Sequence, residues 1–97
     1  MIVITRTRIV DFSKKHPPSV EALNRWYVII KTADWANFSD LKQEFSNVDY
    51  VGNDRYVFNI KGNEFRLVLM IHFSIRTVYI KFIGTHQEYN KIDCSKI

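Results

Sequence analysis

The chain has 97 residues, 46% of them apolar, and a formal charge of +4. That is enough hydrocarbon for a single core in one domain spanning 1–97, which excludes a multidomain machine and a disordered tail. Cys94 is the only cysteine, excluding an intrachain disulfide, and no apolar run approaches the ~18 residues that span a bilayer.

The charge is uneven. Residues 1–50 hold seven Lys/Arg against six Asp/Glu, whereas 51–97 hold seven against four. The excess on the second half points to a polyanionic partner, with mere solubility as the alternative. Met1–Ile4 is too short for a signal peptide's apolar region, so the expectation is a cytoplasmic protein with no membrane association.

Residues 1–5 are short and β-branched, and read as a strand. Ile9, Phe12 and His16 then recur at helical spacing, with Arg8, Asp11, Lys14 and Lys15 on the other side. Pro17-Pro18 must end that helix, because neither residue donates a backbone hydrogen bond. A second helix starts near Pro18 or Ser19 and carries Val20, Leu23, Tyr27 and Ile30 on one stripe, with Trp26 at its border. Ser39 is placed to cap a short third helix through Phe45. VGNDR at 51–55 reads as a turn.

From Tyr56 the period changes to two. Tyr56, Phe58 and Ile60 form one apolar row; Phe65, Leu67, Leu69, Ile71 and Phe73 a second; Val78, Ile80 and Phe82 a third. This predicts an antiparallel meander whose paired residue numbers sum to odd values. A two-residue Lys61-Gly62 turn satisfies the rule and sets Phe58 opposite Phe65. The opposite face then carries Arg66, Val68, Met70 and His72 beside Tyr79, Lys81 and Ile83. The order is β-α-α-(α)-β-β-β, an α+β fold of two layers with the helices on one face of an antiparallel sheet.

His16, His72, His86 and Cys94 are widely spaced, without the spacing of a zinc site, and no glycine-rich phosphate loop is present; neither metal nor cofactor is expected. RNA cleavage needs neither. The ribose 2′-hydroxyl can attack the adjacent phosphorus if the protein supplies a base, an acid and cations for the phosphorane. Arg66, Lys81 and Lys61 offer the cations; His86, Glu88 and Tyr89 offer proton carriers. Each has a plainer reading. Arg66 fits a surface arginine paired with Glu64 or Glu88, Lys61 a turn residue, and His72 a packing histidine. Thr85 fits a helix cap ahead of His86, and Tyr79 and Tyr89 fit shields for the sheet or stacking platforms for a base. Trp26 and Trp35 read as core.

Two runs carry a resemblance. VFNIKGNEFRLV at 57–68 and VYIKFIGTHQEYNKID at 78–93 resemble the HigB toxin family within the RelE-like group, and the strand, basic helix, His-Pro joint and tryptophan-bearing helix before them agree. The likeness covers essentially the whole chain. It implies the RelE-like fold and a ribosome-dependent mRNA endonuclease that arrests translation. It also implies neutralisation by a HigA-type antitoxin, whose complex with the toxin touches operator DNA through the antitoxin. KGNxxR falls on Lys61, Gly62, Asn63 and Arg66, and THxEY on Thr85, His86, Glu88 and Tyr89. The catalytic set so implied is Arg66, Lys81, His86, Glu88 and Tyr89, with Lys61, Asn63, Arg76 and Tyr79 on the RNA. Two positions depart from the pattern: Lys81 stands where arginine is common, and Glu64 where lysine is frequent. The rival readings are an RNA-binding module without catalysis and an inactive relative kept as a protein-interaction partner.

Overall fold

The computed structural model describes residues 1–94 and 96–97. The chain runs β1 (Ile2–Ile4), α1 (Thr7–Lys15), a 3₁₀ turn (Pro17–Ser19), α2 (Val20–Thr32), α3 (Phe38–Glu44), β2 (Asp49–Gly52), β3 (Arg55–Ile60), β4 (Phe65–His72), β5 (Thr77–Thr85) and α4 (His86–Tyr89). The five strands form one sheet in the order β1-β5-β4-β3-β2. β1 is a parallel edge strand beside β5, and every other pair is antiparallel.

The helices cover one face, as the apolar stripes require. Leu23, Trp26 and Ile30 of α2 and Ile9 and Phe12 of α1 pack on Phe58, Phe65, Leu67, Leu69 and Ile80. Both tryptophans are buried in this core, Trp26 fully rather than at its border. Aromatic edges fill it: Trp26 meets Phe58 at 6.1 Å between ring centres, and Phe45 meets Phe58 at 5.1 Å.

Four expectations are corrected. Segment 49–52 is a strand: Asp49 and Tyr50 pair with Val57 and Tyr56, and only Asn53-Asp54 makes the turn, at φ 52° and 62°. The cap of α3 is Asn37, whose side chain accepts the Asp40 N–H at 2.9 Å, not Ser39. The β3–β4 connection has four residues, 61–64, so Phe58 faces Leu67 rather than Phe65. That slip of two keeps every side chain on its expected face.

The fourth correction alters the faces themselves. β5 carries a bulge: Val68 faces Phe82, but Leu69 faces Ile80, leaving Lys81 as the extra residue. Beyond it the alternation reverses. Ile83 faces Leu67 and joins the helix-side core, whereas Phe82 lies on the opposite face with Val68.

That opposite face is also not open throughout. Val57 and Val68 pair with each other on it, yet they are only 3% and 0% exposed. The C-terminal segment reaches the same face, where Ile97 meets Arg55 and Cys94 meets Tyr89. Arg55 donates through Nε to the Ile97 main-chain oxygen at 3.1 Å and again through Nη2.

Candidate active site

One rim of the sheet gathers the 61–64 loop, the end of β5 and α4. The main chain stitches them together: the His86 N–H donates to the Glu64 carbonyl at 3.1 Å. Across the β4–β5 ladder Phe65 faces Thr85 and Arg66 faces Gly84, so Arg66 lies opposite the residues that lead into His86. Gly84 is a position of close approach. A Cβ there would meet the Phe82 ring at 2.5 Å and Glu88 Oε1 at 3.1 Å.

α4 is a single turn, too short to persist without help. A capping box supplies it: the Thr85 hydroxyl accepts the Glu88 N–H at 3.2 Å, and Glu88 Oε1 accepts the Thr85 N–H at 2.8 Å. The Thr85 backbone bond holds the Glu88 carboxyl below its ordinary pKa, with the Thr85 hydroxyl, His16 and Lys91 adding to the effect. Glu88 Oε1 is therefore committed to the helix start.

Arg66 is half-buried and held from two sides. Its Nη1 donates to the Asn63 carbonyl at 3.2 Å, and its guanidinium lies 5.9 Å from the centre of the Tyr89 ring. Burial pushes the Tyr89 hydroxyl up to about 12, reinforced by its hydrogen bond with Cys94 Sγ at 3.6 Å; Arg66 opposes the rise. A phenol so shifted stays neutral at physiological pH. Its ring supports Arg66, while its hydroxyl is engaged by the thiol. His86 is exposed at the first position of α4. Among the described residues no three His, Cys, Asp or Glu side chains group so as to hold a metal ion.

The other sequence-derived candidates divide. Lys61 and Asn63 are at the same rim: Lys61 sits at φ 53° with its ammonium 3.6 Å from Glu64, and Asn63 lends its carbonyl to Arg66. Lys81 does not share the Arg66 row, because the bulge removes it from the alternation. It lies beside α1, where its carbonyl accepts a 2.7 Å bond from Arg8 Nη1. Arg76 belongs to the turn at the far end of β4, roughly 20 Å from Arg66 at the usual strand rise. There it is paired with Asp34 at 2.7 Å. Tyr79 faces Met70 and contacts His72 edge-on at 5.7 Å, away from the rim.

His16 joins the rim without having been singled out for it. Its ring stacks on Phe12 at 4.3 Å and meets Phe65 edge-on at 5.8 Å, close enough to Glu88 to affect its ionisation. The Phe12-x-x-x-His16 spacing foretold the stack. Nothing local foretold a neighbour more than seventy positions later.

The rim thus joins a fixed guanidinium, an exposed imidazole and a second imidazole on an aromatic stack. Comparison with known proteins agrees with the motifs found there. Residues 19–92 match the family model of the HigB toxin, described as the RelE-like toxic component of a toxin-antitoxin system. The chain is 29% identical over 94 residues to the mRNA interferase HigB of Escherichia coli O6:H1, covering 95% of this chain and 91% of the relative. It is 32% identical over 93 residues to the mRNA interferase toxin HigB of E. coli K12 and to its Shigella flexneri counterpart, covering 93% of this chain and 88% of each. The chain belongs to the HigB toxin family, the RelE-like toxic components of toxin-antitoxin systems.

Proposed function

We propose that this toxin is an mRNA interferase that cuts messages in the ribosome, in the cytoplasm, by metal-independent attack of a ribose 2′-hydroxyl. A HigA-type antitoxin holds it silent, and the pair reaches operator DNA only through that antitoxin. The observation that carries the reading is the meeting of Arg66 and the His86 helix at one rim, in a chain whose relatives bear the name mRNA interferase.

The chemistry follows from what each group is free to do. A base takes the 2′-hydroxyl proton as that oxygen bonds to phosphorus. The bond to the 5′-oxygen breaks, and an acid returns a proton to it, leaving a 2′,3′-cyclic phosphate and a 5′-hydroxyl. Arg66 binds the non-bridging oxygens and offsets the charge of the phosphorane. His86 carries one of the two protons, since Glu88 is committed to its cap and the Tyr89 hydroxyl is engaged by Cys94. Glu88 orients α4, Tyr89 orients Arg66, and Lys61 and Asn63 border the RNA path.

The test is induced expression of the wild type, Arg66→Ala and His86→Gln in a bacterium, with mapping of mRNA 5′ ends. The wild type should give discrete cuts with 5′-hydroxyl ends inside translated regions. Each variant should lose cutting by about 100-fold or more, the usual scale for one proton carrier or one charge stabiliser. Full toxicity and cutting by both variants at equal expression would sink the assignment. Arrested translation without cuts would favour a non-catalytic binder.

A further inference from the structure

β1 pairs with β5 at 77–79, and beyond that α1 lies beside β5, with Arg8 bonded to the Lys81 carbonyl. Between them is a shallow open depression of about 290 Å³, lined by Arg8, Asp11 and Lys15 of α1 and by Lys81, with Phe12 and Ile83 between. Arg8, Asp11 and Lys15 recur at 3–4–residue spacing and so share one face of α1 over about 10 Å.

Three cations face one carboxylate there, and none of the three is among the four cations with a salt-bridge partner. Arg25 is paired with Glu21, Lys61 with Glu64, Arg76 with Asp34 and Lys96 with Asp93. Among the described residues neither Lys15 nor Lys81 has an ion-pair partner. Arg8 donates through Nη1 to the Lys81 carbonyl at 2.7 Å, which uses one of its five donors and leaves four for a ligand. The groove also leads to the rim: Phe12, between Arg8 and Lys15, is the ring on which His16 stacks. Unpaired cations along a groove are what a nucleic-acid backbone needs, whereas a solvated basic face has no reason to hold an arginine in place.

We propose that the α1–β5 groove is a second RNA subsite, in which Arg8, Lys15 and Lys81 hold backbone phosphates of the mRNA strand next to the cut. This rests on the mRNA interferase reading for the identity of the strand. It gives Lys81 a role in substrate binding in place of one at the scissile phosphate.

The test measures binding apart from cutting. Arg8→Ala/Lys15→Ala is compared with Lys14→Ala, which lies on the same helix but outside the groove; alanine preserves the helix in all three substitutions. Each is made in the His86→Gln chain and titrated with a short, unstructured, fluorescein-labelled RNA at several salt concentrations. The double variant should bind about tenfold more weakly, and its slope of log affinity against log salt should fall by about 1.4, two phosphates' worth for a single strand. Lys14→Ala should stay within about twofold. Equal weakening by Lys14→Ala, or no weakening by the double variant, overturns the subsite. So does a double variant that binds the oligonucleotide normally but no longer sediments with ribosomes, since the groove would then serve ribosomal RNA. Persistent cutting by His86→Gln would instead sink the catalytic assignment and leave this comparison intact.

Discussion

Tyr89 divides its duties between ring and hydroxyl. The ring lies beside Arg66, and the hydroxyl meets Cys94 in a buried setting that raises its pKa to about 12. A folded pKa above the ordinary value of 10 means that the folded chain keeps a proton the unfolded chain gives up. The resulting stabilisation is complete below pH 10 and is lost as pH climbs from 10 towards 12. Tyr89→Phe should therefore flatten the fall in melting temperature across that window, yet keep cleavage within about twofold, because the ring beside Arg66 survives. Tyr89→Ala should weaken cleavage by about fivefold through loss of that ring. Melting curves from pH 9 to 12 and cleavage rates at neutral pH check both halves. A cleavage defect in Tyr89→Phe as deep as that of His86→Gln would mean that the phenol carries a proton after all.

At the scale of elements, local chemistry explains what the sequence disclosed and what it hid. The period-two rows of β3 and β4, the Pro-Pro break and the Thr85 cap all act within a few residues, and each was readable in place. The bulge at Lys81 has no glycine or proline to mark it, because it is set by how β5 meets β4 and α1 together. A strict alternation therefore put Phe82 in the core and Ile83 on the other face. β2 was hidden because four residues ending at Gly52, followed by Asn53-Asp54, have the composition of a turn. At the rim, KGNxxR and THxEY lie on the segments that meet, so Arg66 and His86 were legible; His16 and the groove beside α1 depend on tertiary packing. The bulge has its own test. With Ile83 packed in the helix-side core, Ile83→Asn should cost about 2–4 kcal/mol by urea denaturation, from lost burial plus a stranded amide. A cost below about 0.5 kcal/mol, typical of a surface position, would restore the unbroken alternation.

Across the whole molecule both faces of the sheet are engaged. Helices bury one face, and on the other the C-terminal segment forms a partial cover that meets Tyr89 through Cys94 and Arg55 through Ile97. Arg55 holds that second cover by donating to the Ile97 main chain, while its Nη1 lies 2.8 Å from the Asn53 carbonyl. The same segment carries Cys94 to Tyr89, so the tether and the raised phenol belong to one unit. Arg55→Ala should loosen this cover and leave the helix-side core intact. Partial exposure of the Tyr89 ring sets the expected cost at about 1–2 kcal/mol. Tryptophan fluorescence should hold steady, because Trp26 and Trp35 both lie in the helix-side core. Tyr89 should titrate closer to 10, since burial and the thiol contact both depend on the segment, and binding of a hydrophobic dye should rise. Arg66 would keep its bond to Asn63 but sit against a less settled ring, so cleavage should fall less than in Arg66→Ala. A variant in which Tyr89 still titrates near 12 would show that the segment is held by its own apolar contacts, with Arg55 only a bystander.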